Sequence, residues 1–407
     1  MRAGSPRLLR EINDRAAIEA LLQRGAMTRS EVEAIIGLSK PATAQLLTRL
    51  EQDGAVVRDG LRGGSRGPRA QLWAVNGALA HVVAVDLTPS HADIVVADVT
   101  GAILAERQAE LPDGGPEVVT AFAEAVRSTV GRAGLVPDQL CSVVVGSPGA
   151  VNPADGHLGF APHLPGWEGF DMPGRLRELL EAPVTVENDV NLVALEEMVA
   201  GRATDVGDFV LIWLSEGIGA AVVINRRLLR GATGGAGEID WMRVPDLADA
   251  DTGIDRRGIR LGELLGSPTI VKLARAHGLS ARNAWSAVRK ARSSGADGLP
   301  FLTDLAKRIA TGVAGVVSVV DPQLVLLAGE TGQAGGDQLC DLVATELHEL
   351  VVPRTPVAPT LVTGNPVRAG ALHSALALAR QKVFGLTAAT AEPFRGSPGA
   401  SLSGLVR

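Results

Sequence analysis

The sequence predicts an α/β chain in two parts: a small helical head closed by a β-hairpin, then a body of two related β-rich lobes. Three observations point there. Two helix-period stretches separated by a glycine turn lie near the N-terminus, a β-branched pattern punctuated by turns starts at His81, and that pattern returns after residue 206. A chain of 407 residues has room for two or three domains at roughly 150 residues each. A content of 46% hydrophobic and 21% charged residues is that of a soluble globular protein with a core to bury.

The head is residues 1–76. RAAIEALLQR (15–24) places Ile18, Leu21 and Leu22 at helical spacing and stops at Gly25. A helix from about Arg29 to Ile36, a turn at Gly37 and a second helix from Lys40 to about Gln52 follow. Ser39 is a good N-cap type, and Pro41 fits a first turn, where no interior hydrogen bond is lost. Leu46, Leu47 and Leu50 supply the inner face, which leaves Lys40, Thr43, Gln45 and Arg49 as candidates for the outer one.

Helix, short turn, helix is the arrangement whose second helix fits a DNA major groove, although a plain helical hairpin reads the same way. The next stretch favours DNA. VVRDGLRGGSRGPRAQLWAVN is a hairpin whose tip carries Arg62, Ser65, Arg66 and Arg69 among glycines, and such a wing can reach a minor groove or phosphates. The head thus reads as a winged helix-turn-helix with Ser39, Lys40, Thr43, Gln45, Arg49 and the four wing residues as contacts to double-stranded DNA. Charge agrees: residues 1–76 hold 12 Lys/Arg and 8 Asp/Glu, a net +4, while the remainder is −10.

In the body, HVVAVDLTPSHADIVVADVTGAILAER reads as three short strands, followed by a helix (Glu117–Gly131) and the buried strand CSVVVGSP. DFVLIWLSEGIGAAVVINRRLLRG repeats the strand theme, and TDLAKRIATGVAGVVSVVDPQLVLLAGE runs from helix into strand. This predicts a body over 82–386 with lobes of about 82–205 and 206–386 and a cleft between them. The apolar run Ile309–Val320 is too short to span a bilayer, and no apolar leader is evident at the N-terminus. Cys141 and Cys340 suggest neither a metal cluster nor a disulfide framework. A cytoplasmic protein with no membrane partner is expected. The tail, 387–407, is small, polar and rich in Pro and Gly, and disorder is expected there.

Four body stretches, VVVGSPGAVNPADGHLGFAPHLPGW, VENDVNLVALEE, LSEGIGAAVVINRRLLRGATGGAGEI and VVDPQLVLLAG, occur in the order found in the ROK family (repressors, open reading frames, kinases). The chain resembles that family over about residues 12–385, and its head resembles the repressor branch, of the NagC/XylR type. The resemblance implies an actin-like ATPase (sugar-kinase-like) body. It places a sugar site on Asn188, Asp189 and Glu238 and on the loop HLPGW, where His163 stands at a family Asn position. In family kinases the Asp is the base that takes a proton from the phosphorylated hydroxyl. The residue types suit a sugar, since carboxylates and an amide accept and donate paired hydrogen bonds to adjacent hydroxyls. Asn188 or Asp189 can equally cap the helix that follows.

Departures from the family pattern bear on chemistry. Where ATP-using members carry DLGGT, this chain has Asp86-Leu87-Thr88-Pro89-Ser90, with both glycines gone and a proline removing an amide donor. The second phosphate turn has Glu216 in Ser215-Glu216-Gly217-Ile218-Gly219. Two unit charges about 4 Å apart repel by roughly 4 kcal/mol at an effective dielectric of about 20, about a thousandfold in affinity. A Glu216 turned outward would soften that. The family zinc histidine is replaced by Trp241, and residues 243–262 contain neither Cys nor His, so no zinc or other cofactor is expected.

Trp241 either covers the lobe core or offers a flat apolar face to a sugar ring. Glu263, in RLGELLGSPTIV, falls within one residue of a further family sugar-binding Glu. The expected function is a DNA-binding regulator, a repressor acting as a homodimer or dimer of dimers on a palindromic operator, with a sugar-like effector and no kinase activity. An ATP-dependent hexose kinase that also binds DNA is the alternative, with Asp189 catalytic.

Overall fold

The computed structural model describes residues 6–63, 69–115, 117–152, 154, 156–159, 164–167, 169–245 and 258–386. The head is built from α1 (Pro6–Arg24), β1 (Met27–Thr28), α2 (Arg29–Ile36), α3 (Lys40–Gln52), β2 (Val56–Arg62) and β3 (Ala70–Val75), with strand order β1-β3-β2. Helix α1 starts well before the expected Arg15. Nothing in PRLLREIND breaks a helix, and its Leu8, Leu9 and Ile12 are about half exposed, so this part lacks the buried stripe from which the helix was read. Helix α2 opens on a capping box. Glu31 N–H donates to Thr28 Oγ1 at 3.3 Å and Thr28 N–H to Glu31 Oε2 at 2.7 Å. It closes on Gly37 at φ 74°, a left-handed C-cap that a Cβ would strain.

The chain divides into two compact units. Of the described residues, one comprises those up to Val145, with 173–185 and 371–386; the other comprises those of 146–172 and 186–370. The first contains the head and a sheet formed by β4 (His81–Leu87), β5 (His91–Asp98), β6 (Ile103–Glu110), β7 (Leu140–Ser147) and β8 (Val184–Asn188), in the order β6-β5-β4-β7-β8. Helix α4 (Val118–Arg132) packs on β5 and β6. Val82–Val85 in the central strand are wholly buried, as expected of a strand covered on both faces. Helix α5 (Met172–Leu180) leads into β8.

The second unit starts with α6 (Asp189–Ala200) and continues with β9 (Phe209–Leu214), β10 (Ile218–Ile224), β11 (Arg227–Leu228), β12 (Arg243–Val244), β13 (Ile259–Arg260) and α7 (Leu261–Leu265). Then come α8 (Ser267–Ala276), α9 (Ala284–Ser293), α10 (Leu299–Val320), β14 (Leu324–Ala328), α11 (Gly329–Leu350) and β15 (Val357–Pro359). Its sheet repeats the plan of the first, in the order β11-β10-β9-β14-β15, with β9 and β10 antiparallel and β14 parallel to β9. Phe301, Leu302, Leu305, Ile309, Val313 and Val317 of α10 are buried at helical spacing, so one face of the apolar run read from the sequence is core while Val319 at its end is exposed. Among the described residues no helix is long and apolar enough to cross a membrane.

The last helix, α12 (Pro366–Phe384), lies in the first unit from Ala371. The observed division differs from a break at 205/206 for two reasons of packing. Helix α6 precedes that point in sequence but packs on β9 and β10, and α12 returns to the first sheet, where Arg380 donates to the carbonyls of Val99 and Thr100 at 3.0 Å. Glu197 of α6 is buried and accepts from the N–H groups of Arg202, Leu361 and Val362 and from the Thr360 hydroxyl. That satisfies a group whose burial would otherwise be costly.

Candidate functional site

The β8–α6 junction holds two of the expected ligand residues. Asn188 is the N-cap: its Oδ1 accepts from Asn191 N–H at 3.1 Å, and its Nδ2 donates to the Gly149 carbonyl at 3.3 Å. Asp189 opens α6, its Oδ1 accepting from Val190 N–H at 2.8 Å, with the positive end of the helix beneath the carboxylate. Beside them Glu187 accepts from Arg230 Nε at 2.7 Å and Asn191 Nδ2 at 2.9 Å. Asn191 is almost fully buried, and its Oδ1 has no partner among the described residues. The Glu187–Arg230 pair was not anticipated. It ties the end of β8, just before α6, to the start of the glycine loop, and residues this far apart in sequence leave no local signal.

The glycine loop is held by close backbone approaches. Gly237 has φ 98°, and a Cβ there would strike the Ala220 carbonyl; its own carbonyl accepts from Ala220 N–H at 2.8 Å. Gly234, at φ 80°, lies as tightly on the Val151 carbonyl. Asn188 and the glycine loop therefore both rest on the short segment 149–151. Glu238 follows, solvent-exposed at the residue level. The protein packed around its carboxyl, with the Asp240 charge, raises its pKa above the ordinary Glu range.

Trp241 is 49% exposed, and Arg260 stacks on its ring at 4.5 Å from the centroid. Arg260 also donates to Glu263 Oε1 at 3.0 Å and lies 3.9 Å from Asp240. Its guanidinium holds Glu263 below the usual carboxylate range. The expected residues Trp241 and Glu263 are thus joined through Arg260, which sequence reading missed, and one face of the indole is already covered. An indole cannot ligate zinc, so position 241 does not fit the family metal. Among the described residues no cluster of His, Cys, Asp or Glu could hold a metal ion. His163 lies outside the described residues; Trp167 of the same loop is buried.

At the β4–β5 turn, the Thr88 and Ser90 hydroxyls lie 2.9 and 3.2 Å from His91 Nδ1, and Thr88 Oγ1 also donates to the His91 carbonyl at 2.9 Å. Glu216 is exposed at the tip of the β9–β10 hairpin.

On the head, Ser39, Lys40, Gln45 and Arg69 are exposed. Thr43 corrects the expectation of an outward side chain. It is fully buried, donating from Oγ1 to the Ser39 carbonyl at 3.2 Å, because positions 43, 46, 47 and 50 form one inner stripe. Thr48, three residues after Gln45, is exposed on the outer side and was overlooked. Ser39 occupies the N-cap without a side-chain cap bond. Arg49 pairs with Asp14 of α1, and Arg62 with Glu31 at 2.5 Å, so both arginines also brace the head. Ser65 and Arg66 lie outside the described residues.

The chain is 23% identical over 371 residues to the xylose repressor of Caldicellulosiruptor bescii, covering 87% of this chain and 91% of that one. A ROK transcriptional regulator described as a homologue of the E. coli Mlc protein shares the fold with a TM-score of 0.68 at 18% identity, over 93% of this chain and 99% of that chain. The ROK hexokinase of Thermus thermophilus gives a TM-score of 0.58 at 23% identity, over 72% and 96%. These likenesses identify the body as the mixed α/β actin-like sugar-kinase fold. Residues 82–382 match the ROK family along their whole length, and the chain belongs to that family.

Proposed function

We propose that the chain is a DNA-binding transcriptional repressor whose sugar-kinase-like body senses a sugar or sugar derivative. Residues 6–75 form its winged helix-turn-helix, with Lys40, Gln45 and Thr48 facing the major groove and Arg69 at the wing. The observation that carries the sensor reading is the convergence of the Asn188 cap and the glycine loop before Glu238 on the segment 149–151. Asn188, Asp189 and Glu238 there offer the acceptors and donors that adjacent hydroxyls need. The turn at Thr88–Ser90, with its hydroxyls engaged by His91, and the exposed Glu216 support a body without ATP-dependent phosphotransfer.

The mechanism is linkage: a ligand that binds one state of the body more tightly shifts the population toward it. In a cytoplasmic homodimer that shift alters the spacing of two heads, so half-sites about one helical turn apart fit one state only. A contact from head to body supports such a coupling. Arg15 of α1 packs beside Gly385 after α12. A labelled palindromic operator is the test, and its affinity should change on adding the right sugar. Unchanged binding across a broad sugar panel overturns the sensor reading. The second reading, an active hexose kinase with Asp189 as base, rests on that carboxylate at the start of α6. Coupled ADP release above roughly 1 per second would establish it.

A further inference from the structure

Helices α8 and α9 carry a basic feature that the sugar loops do not use. Residues 264–296 contain six Lys/Arg and no Asp/Glu, in a body that is otherwise strongly acidic. Helix α9 buries Ala284, Ala287, Val288 and Ala291. Its opposite stripe is therefore Ser286, Arg289, Lys290 and Ser293, at spacings of i, i+3, i+4 and i+7. With Arg282 from the preceding turn, this stripe lines a cavity of about 460 Å³, a volume suited to a small ligand.

Two contacts organise the cations in advance. The Arg289 guanidinium stacks on Trp285, 4.6 Å from the ring centroid, and Lys290 Nζ donates to the Ser280 carbonyl at 3.3 Å, tying helix to turn. Among the described residues no carboxylate lines the cavity. Arg292 is turned elsewhere, donating to the Ala334 carbonyl at 2.9 Å. Three cations sharing a concavity without a counter-charge focus a positive potential there, and an anion relieves their mutual repulsion.

We propose that this cavity binds the phosphate group of a small phosphorylated molecule. A phosphate monoester brings three acceptor oxygens and a charge of about −1.5 to −2. A guanidinium fork takes two such oxygens at once, and a lysine supplies a point charge beside it. The hydroxyls of Ser286 and Ser293 at the ends of the stripe already donate to the Asn283 and Lys290 carbonyls, so the three cations carry the recognition. The cavity shares no residue with Asn188, Asp189 or Glu238, so the inference stands apart from the sugar reading.

The test titrates the full chain with inorganic phosphate against chloride at matched ionic strength, reading thermal stability and tryptophan fluorescence. The expected result is a saturable rise in Tm with a fluorescence change from Trp285 as Arg289 moves. The triple variant Arg282→Gln, Arg289→Gln, Lys290→Gln removes exposed side chains only. It should keep its Tm in chloride and bind phosphate at least about tenfold more weakly, while Asn188→Ala retains phosphate binding. A parent without saturable phosphate binding, or a triple variant that binds as the parent does, overturns the proposal. If the parent ignores phosphate and the variant loses affinity for a short DNA duplex, the surface belongs to the DNA backbone and the proposal is equally overturned.

Discussion

Replacing Asn188 separates the two roles that its position combines. Asn188→Ala removes the N-cap bond to Asn191 N–H and the donation to the Gly149 carbonyl. A lost cap costs about 1 kcal/mol, and a lost hydrogen bond of that kind about 1 more. The expected loss is therefore about 2 kcal/mol, roughly thirtyfold in the opening equilibrium of the first turn of α6. Hydrogen exchange over Val190–Val193 reads that opening directly, and thermal unfolding reads its share in the whole. Asn188→Ser is the informative partner. Serine caps about as well as asparagine, so about half of the loss should return, but the short hydroxyl lacks the amide that reaches Gly149 and can orient a sugar. Restored first-turn protection with an absent sugar response is the expected pattern. A serine variant with the full sugar response would reduce Asn188 to a cap, and an alanine variant with unchanged exchange would refute the cap energetics.

If Glu238 grips a sugar as proposed, its raised pKa should make that binding pH-dependent. The carboxylate accepts from hydroxyls, so affinity should fall as pH drops through a value above the ordinary Glu range of about 4.3, and Glu238→Gln should flatten that profile. The sign for stability is opposite: a raised folded pKa favours folding below the unfolded value and loses that advantage as pH rises through the folded one. An affinity unchanged from neutral pH down to the ordinary Glu range removes Glu238 from the site. On the head, Thr43→Val should cost about 1 kcal/mol of stability with operator preference kept, since it removes a buried hydroxyl bond. Gln45→Ala should change operator preference with stability kept, and gel-shift competition with unfolding curves would expose a reversal. Glu197→Ala strands three backbone N–H groups at a site served by one carboxylate. A loss of at least about 3 kcal/mol is expected in urea unfolding, and a loss under about 1 kcal/mol would contradict the role given to this side chain.

Helices α2 and α3, the glycine turn between them and the hairpin after them were legible because capping residues, Gly37 and the leucine stripe are local signals. The loop ending in Glu238 was legible for the same reason: its glycines mark close backbone approaches. Thr43 was misplaced because a short polar residue on an inner stripe looks like any outward threonine. Its burial depends on the elements packed over α3. Arg260 and Arg230 escaped notice because arginines are ordinary surface residues until a distant indole or carboxylate is found beside them.

By itself the sequence determined the order of the elements, the basic head on an acidic body and the residue types able to grip hydroxyls. Each follows from periodicity, charge or backbone chemistry within a few residues. Only the tertiary structure decided that α6 packs with the second sheet and α12 with the first. It also decided that Arg49 and Arg62 brace the head, and that Trp241 has one face closed by Arg260. Those outcomes rest on contacts between residues far apart in the chain, whose energies depend on burial and distance that exist only once the chain has folded.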